Sequence, residues 1–332
     1  MDNKLYKKTK LFIKENIGFA IILILIILIF TVRLPWSIYA PGGTINLNER
    51  LENKKYKSKG SFNMTYVSFV KGNIPTILLA IINPSWDIIN NSELTLEGEE
   101  LKEAEIRDRL ALKQSVSDAT YLAYKTANID LPIFSKKVYV SYIYDKTKTD
   151  LKIGDEIIEY NGKKINSFEE LRDYISSLDV NEKVSLKVIR DKKEVNVIGV
   201  TYELNKEIKL GVAAAEINEY ASNVIDYIDR DKESGSSGGL MLTLAIYNSL
   251  IKEDITKGNK ICGTGTIDIN GNVGEIAGVK YKILGAIKNK CDIFLSPKEN
   301  YKEAKKEIKK NKSNIKLYEI ETFNDALVKI SN

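Results

Sequence analysis

The chain has 332 residues, enough for roughly two domains, and its 43% apolar and 29% charged residues make a composition that folds. It contains no histidine, which excludes a Ser-His-Asp triad, a Cys-His pair and any histidine-ligated metal or haem. Two cysteines, Cys262 and Cys291, are too few for a structural zinc, and 50 basic against 45 acidic residues, mixed along the chain without a basic block, argue against nucleic acid as a partner. No metal and no other cofactor is expected.

Lys4, Lys7, Lys8, Lys10 and Lys14 precede an uncharged, almost solid Ile/Leu run over 16–32, with Trp36 and Tyr39 just beyond it. At 1.5 Å per residue the run covers about 25 Å, near the short end of a bilayer core, and the two aromatics fall where an interfacial belt would lie. The basic flank puts the N-terminus in the cytoplasm and the rest of the chain outside it. A cleaved signal peptide is the alternative. The run is longer than a signal h-region of about 7–15 residues, and Pro41 after Ala40 makes a poor cleavage site, so residues 1–40 are read as a cytoplasmic stub and uncleaved signal anchor.

Residues 41–109 form an N-terminal extracytoplasmic region. Pro41-Gly42-Gly43 reads as a turn, 61–70 alternates like a strand, and 97–125 has the 3.6 spacing of one or two connecting helices. The region holds no chemical motif.

From residue 136 the pattern changes. A strand over 138–143 is followed by Leu151-Lys152-Ile153-Gly154-Asp155-Glu156-Ile157 and the hairpin turn Asn161-Gly162. Ser167, with Glu170 three residues on, then opens a helix to 177, and strands follow over 184–190 and 194–200. This series resembles a PDZ domain over 110–203. The resemblance implies recognition of extended peptides by strand addition. It places the peptide-binding loop at Leu131, Pro132, Ile133 and Phe134, without the usual Gly-Leu-Gly-Phe, so specificity for a terminal carboxylate does not carry over.

Residues 233–244 run Glu-Ser-Gly-Ser-Ser-Gly-Gly-Leu-Met-Leu-Thr-Leu, a loop of small residues leading into an apolar helix. Backbone amides and the positive helix end at such a start favour developing negative charge. Next come Gly263-Thr264-Gly265-Thr266-Ile267, read as part of a hairpin over 261–273 turning at Asn270-Gly271, and Ile276-Ala277-Gly278-Val279-Lys280-Tyr281-Lys282, which opens a helix. A strand over 315–320 and a helix over 323–331 close the chain.

These three stretches, in this order, resemble the proteolytic domain of the Lon family over 207–332. The fold class is then an α+β and α/β multidomain chain: one N-terminal transmembrane helix, a PDZ-like β-rich domain and a C-terminal Lon-protease-like α/β domain. The family uses a serine nucleophile and a lysine base, which suits a histidine-free hydrolase. Matching the motifs makes Ser237 the nucleophile and Thr264 the supporting hydroxyl. Counting from Thr264 makes Lys282 the base, with Lys280 as runner-up. The family's aspartate three residues before the serine is Ser234 here, so no role is carried over for it.

The chain has no Gly-x-x-x-x-Gly-Lys-Ser/Thr motif, so no ATPase is expected. The whole order of segments resembles bacterial membrane-anchored PDZ and Lon-domain proteases. It implies an ATP-independent endopeptidase acting on unfolded or membrane-proximal proteins outside the cytoplasmic membrane, with a homo-oligomeric ring as the family habit. The alternative is a non-catalytic, membrane-anchored PDZ adaptor. Cys262 and Cys291 could pair or remain buried thiols.

Overall fold

The computed structural model describes residues 3–144, 147–220, 225–230 and 233–331, with side chains from Lys10 onward. The chain divides into two compact units: Met1–Ala40 with Ser68–Glu93, and Pro41–Val67 with Leu94–Asn332. In the first, helix α1 (Asn3–Thr31) contains a stretch, Lys10–Thr31, long and apolar enough to cross a membrane, and none of it is buried against protein. Strand β1 (Trp36–Asn46) begins in this unit and β2 (Ser61–Lys71) ends in it. Helix α2 (Ile74–Ile82) follows, and β3 (Asp87–Asn90) pairs antiparallel with the first residues of β1.

Pro41-Gly42-Gly43, expected as a turn, is strand. Glycine is required there by crowding, since a Cβ on Gly42 would stand 2.2 Å from the Tyr66 carbonyl oxygen, and Gly43 lies against Gly285. The connector is a single helix, α3 (Leu101–Thr126), capped reciprocally by Glu100 and Glu103.

The PDZ region is an antiparallel sheet built from β4 (Ile133–Ile143), β5 (Glu156–Tyr160), with the short β6 (Lys163–Lys164) beside it, β7 (Lys183–Arg190) and β8 (Lys193–Val200). Helix α4 (Phe168–Ser176) lies between β6 and β7 in the chain, and Ser167 caps it by accepting the Glu170 amide. The Glu170 carboxylate takes the Asn166 amide, one residue before the reciprocal bond of a capping box. Val138, Val140, Ile157, Leu171, Ile175, Leu186 and Val188 form the core.

The Leu-x-x-Gly-Asp signature has a local cause. Gly154 takes φ +97° and donates to the Val140 carbonyl, and the buried Asp155 carboxylate then receives two guanidinium bonds from Arg190 (2.7 and 2.8 Å).

The sheet does not end where the motif reading ended. After a small hairpin of β9 (Tyr202–Leu204) and β10 (Glu207–Lys209), β11 (Val212–Tyr220) returns to pair with the whole of β4, giving the order β11-β4-β5-β7-β8.

The C-terminal region is a parallel sheet under helices. Strand β12 (Lys260–Gly263) lies between β2 and β15 (Ile293–Pro297), and β16 (Lys316–Ile320) is outermost beyond β15. These strands read as apolar runs, as buried parallel strands do, with Ile261, Phe294 and Leu295 wholly buried. The hairpin expected over 261–273 is shorter: β13 (Thr266–Ile267) pairs with β14 (Val273–Gly274), while β12 joins the parallel sheet instead. Helices α5 (Gly239–Leu250), α6 (Val279–Lys288), α7 (Lys298–Lys310) and α8 (Phe323–Ser331) complete the domain. Cys262 and Cys291 form a disulfide between β12 and the residues leading into β15.

Candidate active site

Ser237 stands one residue before Gly238, the N-cap of α5. The loop that carries it is held from several sides. The Gly265 amide and the Thr264 hydroxyl both donate to the Ser237 carbonyl (2.8 and 2.9 Å), and the Leu240 amide donates to the Gly265 carbonyl (3.1 Å). From α3, the Ser115 hydroxyl donates to the Ser236 carbonyl (3.2 Å), and the Asp108 carbonyl accepts the Gly235 amide (2.8 Å). Farther back, Arg50 pairs with Glu233, which also accepts the Tyr227 hydroxyl. A loop of small residues that composition alone would allow to be a linker is thus fixed at both ends.

Lys282 sits in the first turn of α6, a helix whose other face (Val279, Ile283, Ala286) packs with Cys262, Cys291 and Phe294. Its amine reaches inward, 2.7 Å from Ser237 Oγ and 2.8 Å from Thr264 Oγ1, and the side chain is only 3% exposed. Burial, with no offsetting carboxylate among the described residues, disfavours the ammonium form and pulls its pKa down to about 7. Thr264 is fully buried at the end of β12 and fixed by its own amide on the Leu295 carbonyl. A neutral amine at this place can accept a proton from the serine hydroxyl, and the threonine oxygen receives an N–H from the same nitrogen.

Lys280, two residues earlier, is half-buried with its amine 5.2 Å from the Tyr281 ring centroid. Ser234 is exposed. On α3, three residues beyond Ser115, the Asp118 carboxyl is pushed up to about 7 by burial and then by the charges of Asp268 and Glu216.

The structure separates Leu131, Pro132, Ile133 and Phe134 from an open sheet edge. Leu131 packs on the core beside α3, while Ile133 and Phe134 start β4, whose full length is already paired by β11. Phe134 is 82% exposed and lines a cavity of about 700 Å³ between α3, β11 and 225–229; neither Ser237 nor Lys282 is in its walls.

The outer strand on this side of the PDZ sheet is β11, entered through Leu210-Gly211-Val212 and docked on α4 by the Phe168 amide, which donates to Glu216. The signal for it was an apolar-Gly-apolar triplet. It falls after the other PDZ strands in the chain instead of before them, outside the 110–203 frame.

Comparison with known proteins divides the chain in the same order. Residues 115–198 match the PDZ domain family, and 230–331 match the Lon protease (S16) C-terminal proteolytic domain. The chain thus carries a PDZ domain followed by a Lon-type proteolytic domain.

Among curated proteins it is similar to a Lon protease of Clostridioides difficile (27% identical over 195 residues, 49% of this chain and 24% of that protein). It is also similar to an uncharacterized protein of Methanocaldococcus jannaschii (29% over 121 residues, 35% of this chain and 32% of that protein). A third, shorter similarity is to the periplasmic serine endoprotease DegP of Escherichia coli (44% over 50 residues, 15% of this chain and 10% of that protein). The chain therefore spans a third or less of the length of these relatives. The crystal structure of the PDZ domain of an SdrC-like protein from Listeria monocytogenes matches 26% of this chain and 93% of its own, at 22% identity and a TM-score of 0.23.

Proposed function

We propose that this protein is a membrane-anchored serine endopeptidase that works without ATP, with Ser237 as nucleophile, Lys282 as general base and Thr264 orienting the amine. The observation that carries the reading is the buried Lys282 amine, 2.7 Å from Ser237 Oγ, with its pKa near 7. In its neutral form it takes the Ser237 proton as Oγ attacks the peptide carbonyl. The amides of Ser237 and Gly238, at the positive start of α5, hold the oxyanion. The protonated lysine then gives its proton to the leaving amine, and a water, deprotonated in turn by Lys282, hydrolyses the acyl-enzyme.

The PDZ domain presents unfolded or membrane-proximal segments along the β11 edge by strand addition. The Cys262–Cys291 disulfide supports an oxidising compartment, and with the lysine-rich stub ahead of α1 it favours catalysis outside the cytoplasmic membrane. The lack of a phosphate-binding Gly-x-x-x-x-Gly-Lys-Ser/Thr motif supports ATP independence.

The test is casein cleavage without ATP by the full chain in detergent, comparing wild type with Ser237→Ala, Lys282→Ala and Lys280→Ala after each is shown to fold. Loss with the first two and normal cutting by the third is expected. Activity that survives Lys282→Ala and dies with Lys280→Ala moves the base by two residues. A folded wild type inert toward unfolded and membrane-derived proteins sinks the protease reading and leaves an adaptor.

A further inference from the structure

The first unit contains an apolar surface that one membrane-crossing helix does not account for. Residues 72–86 carry no charge, and α2 within them is Ile-Pro-Thr-Ile-Leu-Leu-Ala-Ile-Ile. In a water-soluble protein a helix of that composition is buried. Here Ile74, Leu78, Leu79, Ile81 and Ile82 are exposed, Ile82 by 79%, and only Ala80 is buried. Trp36, Phe69, Val70 and Ile88 in the same unit are exposed as well.

What covers this surface is indicated by how α2 is fastened. Asn73, its N-cap, donates from its side-chain amide to the Phe30 carbonyl in the last turn of α1 (2.9 Å), and the Leu34 amide donates to the Gly72 carbonyl (2.9 Å). The start of α2 is thereby pinned to the point where the candidate membrane span ends. Both tryptophans of the chain, Trp36 and Trp86, belong to this unit, and tryptophan favours the level of the lipid headgroups. At nine residues, about 14 Å, α2 is too short to cross a core of about 30 Å.

We propose that α2 is a second, non-spanning membrane contact that buries Leu78, Leu79, Ile81 and Ile82 among the acyl chains of the leaflet into which α1 emerges. This rests on the reading of α1 as the anchor. The consequence is a two-point attachment: α1 holds the chain to the bilayer ahead of β1, and α2 holds it again just after β2.

The experiment uses the full chain reconstituted in phosphatidylcholine vesicles, with an NBD fluorophore on Ile81→Cys or, separately, on Ile24→Cys in α1. The native cysteines are joined to each other, so the introduced thiol is the only one that reacts. Acyl-brominated lipid should remove most of the fluorescence at both positions, and aqueous iodide should remove little. If Ile24→Cys is quenched by brominated lipid while Ile81→Cys is quenched by iodide, α2 lies in water. If Ile81→Cys is shielded from both quenchers, another protein surface such as a second copy covers it. Either result overturns the α2 proposal and spares the anchor. Lack of lipid quenching at Ile24→Cys overturns the anchor reading and the α2 proposal with it. Leu78→Cys reads the same surface should Ile81→Cys fail to fold.

Discussion

The PDZ and proteolytic domains each bury an ionisable side chain, and they treat it in opposite ways. Asp155 in the PDZ domain is 1% exposed, and its carboxylate is met by two guanidinium bonds from Arg190 and a third bond from the Lys152 amide. Lys282 in the proteolytic domain is 3% exposed and meets two hydroxyls, and no charge among the described residues offsets its burial. A compensated charge locks a turn against a strand. An uncompensated one gives up its proton near neutral pH, which is what the proposed acyl transfer requires of its base.

The sharpest way to break that contrast is Lys282→Met, similar in length and without the amine. Casein cleavage should fall at least about a thousandfold, the scale at which loss of a nucleophile's base is felt. The folded protein should not suffer equally. Lys282 has its pKa lowered from 10.5 to about 7 on folding, so the unfolded chain binds the extra proton between those values. Wild-type stability therefore rises with pH across that window, and the penalty is complete below about 7. Thermal melts should show the advantage of Lys282→Met largest at pH 6 and shrinking toward pH 10.

The same titration should appear in catalysis. Labelling of Ser237 by a fluorophosphonate should rise about tenfold per pH unit below 7 and level off above it, following the neutral amine. A profile that is flat from pH 5 to 9 would sink Lys282 as the base.

Arg190→Met attacks the other side of the comparison. It leaves the Asp155 carboxylate buried and uncompensated, at a cost of about 3–5 kcal/mol in denaturant unfolding, and Asp155→Asn in the same chain should recover part of it. Proteolysis of peptides too short to need the PDZ domain should be spared in the double variant.

Reduction of the Cys262–Cys291 disulfide, or Cys262→Ala with Cys291→Ala, should cost about 2–4 kcal/mol. The loop it closes contains both Thr264 and Lys282, so the labelling rate should fall as well.

The smallest effect expected is that of Ser115→Ala, which removes the hydroxyl holding the Ser236 carbonyl. A lost hydrogen bond of this kind predicts a decrease of about threefold to tenfold in labelling, with the pH midpoint unmoved because Lys282 is untouched. Ser115→Thr should restore the rate.

Much of this molecule was legible from local pattern. A lysine-flanked apolar run, Gly-Asp and Asn-Gly turns, the Ser167 cap and three small-residue motifs place the N-terminal apolar helix, the PDZ core and the proteolytic domain, because each depends on short-range periodicity or on φ angles that few residues tolerate. Other features were misread for a shared reason. Pro41-Gly42-Gly43 looked like a turn because crowding against Tyr66 is invisible along the chain. Residues 131–134 looked like the entry to an edge strand because β11, which covers β4, comes more than seventy residues later. The hairpin over 261–273 looked continuous because the parallel partners of β12 lie far off, in β2 and β15.

The sequence by itself determined the order of the modules and a chemistry that needs no histidine. It could not rank Lys282 over Lys280 by helical periodicity, since both lie near the same face of α6 and their spacing says nothing about which amine meets water. Tertiary structure decided which amine is buried: the β12 strand and the α5 N-terminus converge on Lys282 from distant parts of the chain and desolvate its amine. Burial is a property of the packed fold, and a lysine becomes a base near neutral pH only once the packing has removed its water.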